Sequence, residues 1–362
     1  KEIAILYRTN GQSRIFEEQL RRHNILYRVY GGLSFYARKE VKDLIAYMRL
    51  TINDKDDEAL KRVINYPRRG IGESTIENIS KLADDNNMSM WEVLTKIDFN
   101  QRSRKSIGDF VQLIHAFKAK AAKSNAYEIA DYIARNSGII ELLKADKSVE
   151  GLGRLENITS LLDGIKEFVD DDEIQVGEEM NTDKSLSTFL QTISLMTDAD
   201  TKEENPDTVT LMSVHSAKGL EFKSVFVVGL EENLFPSFMA LAEGNQVDEE
   251  RRLFYVAITR AEELLCLTYA HSRYQYGNMR FNDPSRFLEE ISDRNLDSII
   301  SIHKKPEFPE PKILGNFKPL GSKKPMLSVN VDDFVAANPN DIKPGMEVIH
   351  LKFGQGKVMS VD

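Results

Sequence analysis

The chain has 362 residues, too many for one ordinary core, since single hydrophobic cores seldom grow past about 250–300 residues. Hydrophobic residues make up 41% and charged residues 29%, a globular balance, and no apolar run reaches the roughly 18 residues that cross a bilayer, so no membrane role is expected. The net charge of −9 argues against nucleic acid as a partner without excluding it, because binding depends on where basic residues cluster rather than on their sum.

In chain order, residues 3–7 read as a strand, 13–24 as an amphipathic helix and 26–30 as a second strand. Gly31-Gly32 breaks the pattern, and helical spacing returns from Lys39 through Val41, Leu44, Ile45 and Met48. This rhythm predicts an α/β fold with a parallel sheet. A polar break at 53–57 opens a long helical stretch to about residue 168, and the acidic run 170–183 reads as a solvated connector. Strands resume at 209–214, 224–229 and 264–269. Beyond Asp297 a Pro- and Lys-marked linker leads to a final segment that alternates like a hairpin of a small β-barrel. The one cysteine, Cys266, excludes an internal disulfide framework, fits a reducing compartment, and is expected as a small buried hydrophobe in Leu264-Leu-Cys-Leu-Thr268. A start without Met, already inside a fold pattern, suggests a piece of a longer protein.

Several segments carry chemistry. Arg8 and Asn10 lie just past the carboxyl end of the first strand, where α/β sheets place ligands, although Asn10 could equally cap the following turn. Pro67-Arg-Arg-Gly-Ile-Gly-Glu-Ser-Thr75 offers free amides at a helix start and two arginines, Arg68 and Arg69: an anion site or a plain interhelical turn. The loop His215-Ser-Ala-Lys-Gly-Leu-Glu221 has small residues that let a ligand approach backbone, with Gly219 free to adopt unusual conformations. Lys218-Gly219 lacks the glycine-rich run of a phosphate-binding loop, that motif occurs nowhere in the chain, and no segment reads as an acidic Walker B strand. Arg251, Arg252 and Arg260 follow on a largely apolar helix. No zinc motif or Ser-His-Asp arrangement emerges.

Taken together, Val209-Thr-Leu-Met-Ser-Val-His-Ser-Ala-Lys-Gly-Leu-Glu-Phe222, Val225-Phe-Val-Val-Gly-Leu-Glu-Glu-Asn-Leu-Phe-Pro236 and Glu249-Glu-Arg-Arg-Leu-Phe-Tyr-Val-Ala-Ile-Thr-Arg-Ala261 resemble the second motor lobe of UvrD/PcrA/Rep-type superfamily 1 DNA helicases. Ala4-Ile-Leu-Tyr-Arg-Thr-Asn-Gly-Gln-Ser-Arg14 and Gly31-Gly-Leu-Ser-Phe-Tyr-Ala-Arg-Lys-Glu40 match further blocks in the same order, over roughly residues 1–295. The resemblance implies a RecA-like lobe split between residues 1–57 and 184–297 around a helical insertion at 58–183, then a linker at 298–341 and the start of a Tudor/SH3-like barrel at 342–362.

It also implies roles. Arg260 would be an arginine finger on ATP, with Gly219 and Glu221 at the nucleotide. Arg8, Asn10 and His215 would hold single-stranded DNA, Tyr276 would stack on a base, and Arg68, Arg69, Gly70 and Gly72 would touch duplex. Phe35 and Tyr36 are read as core. One departure is Ser237, where the family often has a DNA-gripping histidine. The implied machine is a bacterial, cytoplasmic, ATP-dependent 3′–5′ helicase of repair or replication, acting on single strands and junctions. Its Mg2+ and phosphate-loop ligands would come from an N-terminal lobe upstream, so this stretch alone should not hydrolyse ATP. Two other readings stay open: part of a helicase–nuclease subunit, or a DNA- and protein-binding module that recruits RNA polymerase or a repair protein.

Overall fold

The computed structural model describes residues 2–97, 99, 101–171, 175–176, 179–180, 183–197, 207–243, 246–275, 277–297, 346–350 and 354–358. Residues 1–303 form one compact unit and 304–362 another.

The first unit opens with β1 (Ile3–Tyr7), α1 (Ser13–Arg22), β2 (Tyr27–Val29) and α2 (Lys39–Ile52). Along β1, Ala4 and Leu6 enter one apolar cluster and Ile5 and Tyr7 another, the alternation of a strand covered on both faces. Helices follow: α3 (Asp57–Val63), α4 (Glu73–Asn86), α5 (Met90–Lys96), α6 (Gln101–Ala121), α7 (Ala126–Asn136), α8 (Ile139–Ala145) and α9 (Val149–Asp170). Asp56, Ser89, Asn125 and Ser148 accept first-turn amides and so fix where α3, α5, α7 and α9 begin. One helical core, centred on Tyr47, Phe110 and Phe117, gathers residues from Phe35 to Ile193. Phe35 and Tyr36 belong to it, as the sequence suggests.

Within the acidic run lie two short antiparallel strands, β3 (Gln175–Val176) and β4 (Glu179–Met180), and then α10 (Leu186–Thr197). The chain returns to the sheet with β5 (Val209–Ser213) and β6 (Phe222–Val227), crosses α11 (Phe238–Glu243) and α12 (Val247–Ile258), and adds β7 (Ala261–Leu267). A hairpin of β8 (Ser272–Gln275) and β9 (Asn278–Phe281) precedes α13 (Arg286–Glu289).

The sheet is parallel throughout, with strand order β2-β5-β1-β6-β7. On the face that takes Ala4 and Leu6, Phe254 and Ala257 of α12 pack with Met212, Val225, Val227 and Phe235. Phe254 stacks on Phe287 with ring centroids 5.5 Å apart. On the opposite face Phe16 and Leu20 of α1 meet Tyr7 and Leu211. β7 is an edge strand, and this corrects the expectation for Cys266. The thiol is only half-buried, and Leu264 beside it is 54% exposed, because nothing described pairs with the outer edge of β7.

In the second unit, β10 (Glu347–His350) pairs antiparallel with β11 (Gly354–Lys357), the hairpin that the alternation predicts. The expected linker at 298–341 lies outside the described residues.

Candidate functional site

In a parallel sheet all carboxyl ends share one edge, so the residues after β1 and β5 come together. Tyr7 lies level with Ser213, and the Val214 amide donates to the Tyr7 carbonyl at 2.9 Å. Arg8 and His215 therefore become neighbours. The Gln12 side chain builds the turn after β1: its Oε1 accepts the amides of Arg8 at 3.0 Å and Thr9 at 2.8 Å. Asn10 is not the cap; its side chain is left exposed, while its carbonyl accepts from Arg38 Nη1 at 2.7 Å. Arg38 is itself buried and also donates to Asn157 on α9 at 2.8 Å and to Ser13 at 2.8 Å.

Arg8 continues the face of Ala4 and Leu6, which is the α12 side. There it meets Glu250: Nε donates to Oε2 at 2.9 Å and Nη2 to Oε1 at 2.6 Å. The Glu250 side chain is only 7% exposed. His215 opens a short turn and is exposed. Desolvation and then the positive field of Arg8 hold its imidazole below the ordinary value, while Glu250 and Glu249 work the other way.

A second cluster sits at the amino edge of the same sheet. Gly219 has φ +84° in open space, a conformation that a side chain would resist but that leaves its backbone approachable. Glu221, two residues on, is exposed just before β6. Arg260 follows α12 and immediately precedes β7, and its carbonyl accepts the Phe222 amide at 2.9 Å. Its guanidinium lies over this loop: Nη1 donates to the Leu220 carbonyl at 2.8 Å, Nε to Val256 at 3.0 Å and Nη2 to Thr259 Oγ1 at 3.0 Å. All three acceptors are neutral, so an anion arriving here would compete for the fork on favourable terms. The two arginines on α12 itself pair at the surface, Arg251 with Glu290 at 2.8 Å and Arg252 with Glu249 at 2.8 Å.

The glycine turn in the helical part separates two arginines that look alike in sequence. Arg68, Gly70 and Gly72 are exposed, and Gly72 caps α4 from an extended backbone. Arg69 folds inward, donating to the carbonyls of Pro67 at 3.0 Å and Ser137 at 2.8 Å, with its guanidinium near the rings of Tyr47 and Phe110. That leaves it holding the turn, with little to offer a ligand. Asn65 Oδ1 accepts the Arg69 amide at 2.8 Å and fixes the same turn. Among the described residues no group of His, Cys, Asp or Glu comes together to hold a metal ion, and no helix is long and apolar enough to cross a membrane. Tyr276, which falls between β8 and β9 in the sequence, lies outside the described residues.

These two clusters sit on the blocks that carry the resemblance, and comparison decides the family. The sequence matches the UvrD-like helicase C-terminal domain over residues 1–272. The chain belongs to that family. A relative described as ATP-dependent DNA helicase PcrA from Staphylococcus epidermidis is 39% identical over 368 residues, covering all of this chain and 48% of the relative. A relative of the same description from Staphylococcus aureus is 37% identical over 371 residues, again covering all of this chain and 48% of the relative. The chain thus spans about half the length of these relatives.

In this UvrD-like domain the residue that sequence reasoning missed is Glu250. The signal was available: Glu250, Phe254 and Ala257 fall on one stripe of α12, so a carboxylate stands where the helix faces the core. Ser237, the departure from the family pattern, also turns toward it, with Oγ 3.3 Å from Glu250 Oε1.

Proposed function

We propose that this chain is the C-terminal part of an ATP-dependent DNA helicase that moves 3′ to 5′ on single-stranded DNA, in repair or replication in a bacterial cytoplasm. The observation that carries the reading is the Arg260 guanidinium resting on the Gly219–Glu221 loop against neutral acceptors only. Phosphoryl transfer spreads negative charge over the γ-phosphate oxygens, and a rigid guanidinium fork suits that charge. Arg260 would exchange the Leu220 carbonyl for phosphate oxygen, Glu221 would flank the ribose, and Gly219 would give the nucleotide room.

ATP supplies the phosphoanhydride that is cleaved; Mg2+ and its ligands would belong to the N-terminal lobe of the full-length polypeptide, in line with relatives about twice as long. In this reading residues 1–57 and 184–297 form the second RecA-like lobe and 58–183 the insertion that steers duplex DNA. At the carboxyl edge Arg8, Asn10 and His215 would grip the strand, with Tyr276 stacking on a base for about 1–3 kcal/mol. Arg68, Gly70 and Gly72 would meet duplex phosphates, which carry no sequence information. The terminal hairpin, in a unit of its own, would serve a protein partner such as RNA polymerase or a repair protein.

The polarity has a direct test in the full-length protein. With ATP it should displace streptavidin from a biotin at the 5′ end of single-stranded DNA and leave a 3′ block in place; the reverse pattern overturns the direction. The 362-residue chain alone should show no turnover, and steady hydrolysis by it after stringent purification would contradict the half-site reading.

A further inference from the structure

Glu250 is a charge on the apolar stripe of α12, buried and paired. Burying a carboxylate is costly even with a partner, and an apolar residue on that stripe would simply extend the packing around Phe254. What Glu250 holds is therefore informative. Its two oxygens take Nε and Nη2 of Arg8, the donors a phosphate would want, and Ser237 Oγ adds a third contact at 3.3 Å. Glu156 on α9 lies within electrostatic reach of the same arginine, and Glu249 and Glu250 both act on His215.

The two clusters lie at opposite edges of one sheet, and α12 joins them. Glu250, in its first turn, touches the carboxyl edge at Arg8, and the helix ends two residues before Arg260 at the amino edge. Nine residues of helix, Glu250 to Ile258, make this a strut of about 13 Å. It is packed along its length by Phe254 and Ala257, so a shift at one end is carried to the other.

We propose that Glu250 is a positioning residue that couples DNA at Arg8 to the pose of Arg260. This rests on the helicase reading above. Without DNA, Glu250 holds Arg8 and thereby fixes α12. A DNA phosphate and the Glu250 carboxylate compete for the same fork and repel each other, so DNA binding releases Glu250, and α12 is free to carry Arg260 off the Leu220 carbonyl. By linkage, engagement of Arg260 must then change DNA affinity by the same factor.

The test uses the full-length protein with oligo-dT, measuring DNA affinity and the ratio of DNA-stimulated to basal ATP hydrolysis. Glu250→Gln keeps the shape and removes the charge. It should tighten oligo-dT binding by about 5-fold or more, the lower end of ordinary allosteric coupling, while the stimulation ratio falls by a similar factor. Arg8→Ala/Glu250→Gln should lose the tightening. Glu250→Asp, which keeps the charge on a shorter arm, should fall between, and it keeps the test open if the glutamine variant folds poorly. A merely structural glutamate would weaken binding and activity together. Weaker or unchanged binding in Glu250→Gln and Glu250→Asp, or a wild-type stimulation ratio in both, overturns the proposal. Loss of DNA stimulation in the wild type, or an Arg260→Ala variant with unchanged turnover, would instead overturn the helicase reading beneath it.

Discussion

At His215 charged neighbours act on one imidazole in opposite senses. Desolvation leads and Arg8 adds to it in lowering the proton affinity, while Glu250 and Glu249 raise it. A titration followed by NMR should therefore place His215 below the ordinary imidazole value of about 6.5, and Arg8→Ala should move it upward. The folded pKa lies below the unfolded one, so the unfolded chain binds more protons in the window between them. His215 thus costs stability as pH falls below about 6.5, and a midpoint at or above that value would contradict the geometry. The roles of Arg8 and Arg260 were suggested by their surrounding motifs. Their present partners were not legible, because the Arg8–Glu250 pair joins residues 242 positions apart. Only the misplaced carboxylate on the stripe of α12 hinted at it.

Elements read well wherever local chemistry decides them. The β1–α1–β2–α2 opening follows from periodicity, and α5 carries its start in Ser89 and Glu92, which cap each other. Ser89→Ala should lower stability by about 1 kcal/mol in chemical denaturation, and no change would mean that the cap is idle. The β8–β9 hairpin and α10 escaped notice, although Leu186, Phe189, Leu190 and Ile193 recur at helical spacing and pack into the helical core. β6 and β7 begin earlier than their apolar runs, because Phe222 pairs with Ala261 across the sheet, a register that only the fold supplies.

The glycine turn shows the same limit within one dipeptide. Arg68 and Arg69 are equivalent in sequence, yet one faces solvent and the other donates to Pro67 and Ser137. Arg68→Ala should weaken duplex binding and lower its salt slope by about one, with the fold intact. Arg69→Ala should instead reduce stability by about 1–3 kcal/mol through the carbonyls it abandons, visible as a lower melting temperature. Equal effects of the two substitutions on both measurements would contradict this division.

Over the whole molecule, the polarity of the strands separates two candidate clusters. Strand ends after β1 and β5 gather the DNA candidates, strand starts before β6 and β7 gather the nucleotide candidates, and α12 runs between them. The net charge of −9 gave no hint of this, because Arg8, Arg251 and Arg252 are each matched by a nearby acid and the basic groups act as local sites. The parallel α/β class followed from strand and helix periods. The placement of the two clusters on opposite edges required the register.

The most direct measurement of the central claim is DNA-stimulated ATP hydrolysis by the full-length protein, wild type against Arg260→Ala, with oligo-dT binding followed in the same preparations. The account predicts a fall of roughly 10³–10⁵ in turnover with single-strand binding retained. Unchanged turnover in Arg260→Ala would contradict it, and would leave the chain as a DNA- and protein-binding domain.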